Sequence, residues 1–528
     1  MHVPRLLFLL FSILASIFSI RISAEGTVEQ WDCFELSFSA PATANPFVGV
    51  AFSATFEKDG KRFQPDGFYD GNDVFKIRFM PNEPGIWTYR TQSNYAPLNG
   101  KSGSFTCTPA REGNHGPVQV RKQYHFGYAD GTAFRPFGTT SYEWWYQPDE
   151  MRDQTLATLA TSPFNKLRFL VIPNYRKEYY KGGSLELHDL PFEGDSRETF
   201  DFSRFNPKFF QRLEENVLKL QDLGIEADLI LFRPYDNAKW GFDQMSMETN
   251  ERYLRYLVAR LAAYRNVWWC MANEHSYIDH LTDNDWDQLF RVVQASDPYA
   301  HLRSVQNADD IYDFNKPWVT HVAFHNYMAI RSPGVPSIIR SIYRKPVIHD
   351  EINYEGDVDS RWGQLSSEEM TYRFWVGTIG GTYVTHGETK RGEIGDGWIS
   401  RGGALTRQSP ARIAFLREIL EQSGLTEWEP IDPAFQTNIA GKPGKYYLIY
   451  LGKDQIESWP FVLPRDGLEP GMRFQADVID TWNMTITPTD QTFEVERGGR
   501  YHFSDKTRQT IALPTRPYMA LRIQRIPE

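Results

Sequence analysis

Hydrophobic and polar positions change rhythm twice along this chain. From Val28 to about Pro109, short runs alternate apolar and polar residues (FELSFSA, GVAFSATF, VFKIRFMP, WTYRTQS, GSFTCTP), broken by DG, DGN, EPG and NG pairs. A period of two between turn dipeptides predicts half-buried strands, here an immunoglobulin-like β-sandwich over residues 25–115. From 116 to 428, near-continuous apolar runs take over: FRPFGTTS, NKLRFLVI, EADLILF, VWWCMA, HLRSVQ, THVAFH, KPVIHDE and GTYVTHGE. Between them lie amphipathic stretches such as PKFFQRLEENVLKLQDLG and NERYLRYLVARLAAYR, with apolar residues at helical spacing. Strands that are apolar on both faces belong to a parallel sheet wrapped in helices, and eight of them predict an α/β fold, the (β/α)8 TIM barrel. Alternation returns over 429–528 (KYYLIYLG, FQADVIDTW, TFEVERG, YMALRIQR), predicting a C-terminal β-sandwich. REGNHGPVQV reads as a linker or a crossing strand. The stretch from Pro173 to Phe205 is too long for an ordinary connection and is expected to overhang the barrel mouth.

The first residues add a destination. Arg5, an apolar run from Leu6 to Ile20, Arg21 and a small-residue end at Ser23-Ala24 predict a secretory signal peptide cut after Ala24, hence a secreted or periplasmic bacterial protein. The run is short for a membrane span, so no membrane insertion is expected after cleavage. The net charge of −10 disfavours nucleic acid and anionic membranes as partners, while leaving room for a local basic patch. With 15 Trp among 528 residues, rings that could stack on sugars are abundant, although large cores bury aromatics as well. The three cysteines show no metal-ligand spacing; Cys33 and Cys107 leave open a bridge or two thiols, and Cys270 reads as a small buried hydrophobe.

Candidate chemistry sits where the apolar runs end. VWWCMANEHSY places Asn273 and Glu274 after the fourth run, and KPVIHDEINYEG places Glu351 at the tip of the seventh. In a (β/α)8 barrel such positions share one mouth, and two glutamates across a mouth are the equipment for cleaving a glycosidic bond. Either alone is as readily a strand-end salt bridge. Asp350 and His349 are rivals of Glu351; neighbours alternate in direction on a strand, and Glu351 lies nearest the tip. Arg168 on the second run, His325 and Tyr327 ending the sixth, and His386, Glu388 and Trp398 on or after the eighth are candidate substrate contacts. Plain alternatives are a buried ion pair for Arg168 and hydrogen-bonded strand-end roles for the histidines. Asp236, after the third run, is either a turn residue or a substrate contact. Trp268 and Trp269 would either desolvate Glu274 or pack the barrel.

The Asn-Glu pair on the fourth strand, the His-x-Tyr on the sixth and the Glu on the seventh resemble clan A glycoside hydrolases. That resemblance implies Glu274 as acid/base and Glu351 as nucleophile. It also implies that Asn273 holds the sugar 2-hydroxyl and that His325 and Tyr327 orient Glu351 and the bound ring. PDGFYDGNDVFKIRFMPNEPGIWTYRT, EGNHGPVQV, FRPFGTTSYEW, DLGIEADLILFRPYD, RYLRYLVARLAAYRNVWW and THGET are similar to a narrower bacterial group. Its members join an N-terminal β-sandwich of unknown function to an apiosidase-like barrel and a small C-terminal β domain. Many clan A enzymes place a Trp at the end of strand eight, where this chain has His386-Gly387-Glu388.

These observations predict a secreted retaining β-glycosidase acting on a plant or algal poly- or oligosaccharide, with no metal or organic cofactor, and carboxyl groups about 5–5.5 Å apart. The rivals are a carbohydrate-binding protein on an inactive barrel and a metal-dependent hydrolase. The latter wants clustered histidines, which the first strand lacks. The terminal β domains carry no strand-end carboxylate pair and are expected to support the barrel, with PDGFYDGND a candidate to narrow the cleft.

Overall fold

All eight barrel runs form strands: β1 (Phe137–Thr140), β2 (Lys166–Leu170), β3 (Glu226–Phe232), β4 (Val267–Ala272), β5 (Arg303–Ser304), β6 (Val322–His325), β7 (Val347–Glu351) and β8 (Tyr383–His386). The computed structural model describes residues 26–41, 44–173, 190–236 and 239–527; the expected signal peptide lies outside them. The sheet is parallel in the order β5-β4-β3-β2-β1-β8-β7-β6, and its two end strands meet at one parallel bridge, Gln306 to Ala323. Every residue of β2, β3 and β4 is buried, as their apolar runs require.

The outer ring comprises α1 (Asp149–Thr161), α2 (Pro207–Asp222), α3 (Met247–Leu261), α4 (Asp283–Ser296), α5 (Val335–Tyr343), α6 (Ser367–Ile379) and α7 (Ser409–Gln422). Their starts are chemically marked. Asn206 caps α2 with Pro207 in its first turn, and Thr282 and Asp285 form a capping box on α4. No helix joins β5 to β6 among the described residues.

The barrel interior is layered. At its closed end, three short strands (Val118–Arg121, His125–Tyr128, Ala133–Phe134) form a plug, whose Val118, Phe126 and Phe134 pack on Trp268, Leu302, Ile348 and Tyr383. REGNHGPVQV therefore ends in a plug strand. Above the plug, the fully buried Lys166 ammonium pairs with Asp228 at 2.6 Å and Asp350 at 2.8 Å. Above that lie Leu170, Ile230 and Cys270, on which Tyr142 rests. Burial pushes the Cys270 thiol up to about 12, as suits an apolar role.

The N-terminal region is a five-stranded sheet facing a three-stranded one over a phenylalanine-rich core in which Phe34 stacks on Phe105 and Phe56 on Phe79. Cys33 and Cys107 are free thiols. The C-terminal region is an eight-stranded sheet with a two-stranded ribbon. It docks on α6, where Tyr450 stacks on Trp375 with centroids 5.0 Å apart.

The PDGFYDGND loop does not reach the cleft. It packs on the outside of the barrel, where Tyr256 on α3 donates its hydroxyl to the Tyr69 carbonyl at 2.8 Å. Beside it, Arg260 on α3 bonds Asp70 at 2.7 Å and also pairs with Glu214 on α2. Arg78 of the sandwich reaches Glu214 at 2.9 Å and the Arg260 carbonyl at 2.7 Å. The described end of the Pro173–Phe205 excursion lies here too: Phe205 stacks on Tyr256 and Phe192 packs on Phe242. Residues 174–189, on which the expected overhang chiefly rests, fall outside the described residues.

Glu214 is the one carboxylate serving both buried guanidinium groups. Glu214→Ala strips that partner from Arg78 and Arg260 together, and breaking a buried ion pair from one side costs about 3–5 kcal/mol. The expected outcome is a clear drop in the denaturation midpoint. An unchanged midpoint in a thermal or urea melt refutes the role of this network in holding sandwich to barrel.

Candidate active site

Both glutamates depart from regular strand geometry. β4 ends at Ala272, and Glu274 adopts a left-handed backbone (φ 46°, ψ 57°) before the short turn His275–Tyr277. A non-glycine residue held there is strained by roughly 1–2 kcal/mol. On β7, Asp350 points into the barrel toward Lys166 and accepts from Thr385 Oγ1 at 2.8 Å. Strict alternation would turn Glu351 outward with His349. Instead the β6–β7 register shifts, pairing Phe324 with His349 but His325 with Glu351, and the bulge brings Glu351 to the mouth.

The two carboxyl groups line one cleft of about 640 Å³. His325 stands between them, Nδ1 3.2 Å from Glu274 Oε1 and Nε2 3.8 Å from Glu351 Oε1. Glu351 Oε2 accepts from Tyr142 Oη and Gln306 Nε2, each at 3.1 Å. Tyr142 Oη also lies 2.9 Å from Tyr354 Oη. Beneath them, the fully buried Arg168 donates to Asn273 Oδ1 at 2.5 Å, Gln306 Oε1 at 2.7 Å and Tyr142 Oη at 3.4 Å. Asn273 in turn offers Nδ2 to Tyr235 Oη at 3.4 Å and Glu274 Oε2 at 3.5 Å.

These surroundings push the glutamates apart. Burial would raise Glu351, but His325, Arg168, Tyr354 and Gln306 outweigh it and hold the carboxyl below its ordinary range. Glu274 is raised, by burial first and by the Glu351 charge, against the opposing pull of His325. Burial opposes protonation of His325, yet the two carboxylates lift it above the ordinary imidazole value. Two acids driven in opposite directions within one cleft are suited to different proton roles.

Arg168, Asn273, Glu274, His325 and Glu351 thus come together, and Tyr327 also lines the cleft. Tyr327 carries no hydrogen bond to Glu351 here; Arg373 lies over its ring at 6.0 Å, and the hydroxyl bonded to Glu351 belongs to Tyr142. Arg168 lies beneath the cleft lining, and four other candidates lie apart from it. Asp236 is a turn residue, its Oδ2 accepting from the backbone of Trp240, Gly241 and Phe242. His386 is buried, stacked on Phe164 and 3.2 Å from Thr139 Oγ1, with burial lowering it to about 3. Glu388 holds the chain at Thr406 and Arg407 by accepting their N–H groups. Trp398 is buried with Nε1 on Thr139 Oγ1 at 3.0 Å, although its neighbours Ile399 and Ser400 do line the cleft. Trp268 packs against the plug and Trp269 donates to Asp297, so neither desolvates Glu274.

Sequence reading missed Tyr142, Gln306 and Tyr354. Each follows a strand the pattern had located, in SYEWW, SVQN and EINYE. Among the described residues, no cluster of three or more His, Cys, Asp or Glu side chains is placed to hold a metal.

A parallel eight-stranded barrel presenting two differently tuned glutamates is the architecture of a glycoside hydrolase, and comparison with known proteins agrees. The chain belongs to the apiosidase-like family: the model described as "Apiosidase-like, catalytic domain" matches residues 121–389, flanked by two domains of unknown function, DUF5060 at 27–94 and DUF5605 at 435–524. A crystal structure from Bacteroides vulgatus, of a protein provisionally assigned as a glycoside hydrolase, is 40% identical with a TM-score of 0.90, covering 95% of this chain and 100% of that one. An endo-1,4-β-D-mannanase from Thermotoga petrophila is 14% identical, covering 54% of this chain and 100% of that one, with a TM-score of 0.39. A family 39 glycoside hydrolase from Bacteroides cellulosilyticus is 10% identical, covering 96% and 100%, with a TM-score of 0.40. Both of these are too distant to inform the chemistry of this chain. No curated protein matches it.

Glu388 tests the division between cleft and scaffold. Glu388→Ala leaves the Thr406 and Arg407 groups without their acceptor, at about 1–3 kcal/mol for each donor left buried and unpaired. Stability should fall, while KM on a cleaved substrate stays within about twofold, under 0.5 kcal/mol. A tenfold rise in KM with folding intact would place Glu388 back among the substrate contacts.

Proposed function

We propose that this glycoside hydrolase is a secreted, retaining β-glycosidase acting on a plant or algal poly- or oligosaccharide by double displacement. The observation that carries the reading is the opposite tuning of Glu274 and Glu351 within one cleft. Glu351, held ionised, attacks the anomeric carbon. Glu274, kept protonated, donates to the leaving oxygen and afterwards takes a proton from the attacking water. Asn273, fixed through Arg168, is placed to bond a sugar hydroxyl beside Glu274. His325, between the two carboxylates, holds the pair's charge as it moves from one to the other.

The pH dependence follows from the two directions. Activity requires Glu351 deprotonated, so it rises with pH through a limb below the ordinary glutamate range. It also requires Glu274 protonated, so it falls through a limb above that range. The kcat/KM profile should be bell-shaped, its two midpoints belonging to the coupled pair.

Glu351→Gly should abolish turnover and regain it with azide, which fills the vacated space and attacks in its place. Glu274→Ala should still release a good leaving group once and then stall before water attack. The first product seen by proton NMR should keep the substrate's anomeric configuration; inversion would make Glu351 a general base instead. Exported protein should begin at Glu25 on N-terminal sequencing.

A further inference from the structure

The two oxygens of Glu351 are not equivalent. Oε2 is claimed twice, by Tyr142 Oη and Gln306 Nε2, each at 3.1 Å. Oε1 has His325 Nε2 as its neighbour at 3.8 Å, beyond hydrogen-bond reach. Both Oε2 donors are themselves fixed. Arg168 pins Gln306 through its amide oxygen at 2.7 Å, which leaves the amide nitrogen to point at Glu351. Tyr142 rests on Leu170, Ile230 and Cys270, with Tyr354 Oη 2.9 Å from its hydroxyl.

We infer that Tyr142 and Gln306 are positioning residues that hold Glu351 Oε2, assign Oε1 to the anomeric carbon, and make Glu351 a good leaving group in the second half of the reaction. The inference rests on the nucleophile role proposed above. In the first step a bond forms between Oε1 and the anomeric carbon while the bond to the leaving oxygen breaks, that oxygen taking the Glu274 proton. Glu351 is then an ester whose Oε2 is a neutral carbonyl and a weak acceptor. In the second step water attacks the same carbon and gives a proton to Glu274. The Oε1–carbon bond breaks and its electron pair returns to Glu351 as carboxylate charge shared by both oxygens. Donors on Oε2 are strengthened as that charge returns, so they lower the second barrel-mouth barrier. In the first step they favour the charged ground state and give no acceleration. The groups facing Glu351 are Tyr142 after β1, Arg168 on β2, Glu274 after β4, Gln306 after β5, His325 on β6 and Tyr354 after β7.

The test separates positioning from mere support. Full-length protein labelled with carbon-13 at its glutamate carboxyl carbons is titrated by NMR, with the Glu351 signal identified by its loss in Glu351→Gln. Tyr142→Phe, and independently Gln306→Met, should raise the Glu351 midpoint by about one pH unit, as befits loss of one hydrogen bond to a charged group. Turnover is measured on a panel of 2,4-dinitrophenyl β-glycosides of common pentoses and hexoses, whose leaving group makes the second step limiting. There Tyr142→Phe should lower kcat and KM together by about tenfold and leave kcat/KM nearly unchanged. An unshifted Glu351 midpoint in both folded variants overturns the inference, as does a fall in kcat/KM equal to the fall in kcat. If azide fails to rescue Glu351→Gly, it is the nucleophile reading that falls; if rescue succeeds and the midpoint does not move, only the positioning inference falls.

Discussion

One buried cation organises this site. Arg168 has no access to water, and an unpaired guanidinium there would be far too costly to keep. Its Nη1 and Nη2 donors are met by Asn273, Gln306 and Tyr142, which come from three different strand ends and each of which also touches Glu274 or Glu351. The need to satisfy one charge thus sets the orientation of side chains drawn from as far apart in the chain as Tyr142 and Gln306. Charge balance extends downward: Arg168 and Lys166 face Asp228 and Asp350 in the barrel interior, two cations against two anions.

The flanking domains bear on this arrangement from outside the ring. The N-terminal sandwich meets α2 and α3 through the Arg78–Glu214–Arg260–Asp70 network, and the C-terminal sheet meets α6 through Tyr450 and Trp375. Among the described residues, neither contributes to the cleft lining. What they brace are the helices behind β2, β3 and β7, the strands that carry Arg168, Asp228 and Glu351. A strained backbone at Glu274 and a bulge at Glu351 persist only where their surroundings are rigid, so a braced barrel is a condition for the site.

Much of this was readable from residue order, for stated reasons. Apolar runs marked the barrel strands because burial on both faces keeps most positions apolar, with Lys166, Arg168, Asp228 and Asp350 as paired exceptions, and both glutamates followed from being the polar residues at the ends of such runs. Glu351 was reached by assuming strict alternation, whereas the structure uses a register shift that one strand's sequence cannot reveal. Tyr142 and Gln306 were missed because their role depends on a partner distant in the chain. His386, Glu388 and Trp398 were over-read: they stand at or beyond a strand end, but backbone groups and Thr139 claim them. Of the two readings of the high Trp content, core burial accounts for most of it, since Trp87, Trp144, Trp145, Trp268, Trp269, Trp286, Trp375 and Trp398 are fully buried and Trp362 is the tryptophan lining the cleft.

Two identical side chains end up with opposite proton affinities through neighbours alone. Each is buried, and burial by itself would raise both. At Glu351 that rise is overcome because two fixed cationic or protonatable groups, Arg168 and His325, and neutral donors converge on it. At Glu274 the same His325 is the main opposing group, Arg168 opposes more weakly, and the negative charge of Glu351 adds to burial. The charge of one glutamate therefore adds to the upward push on the other. Protonating Glu351 would remove that repulsion and let Glu274 ionise more easily, so the two carboxyl groups titrate as a pair. His325 and then Arg168 hold Glu351 down, and Arg168 also fixes Gln306 and Tyr142, which bond Glu351 directly.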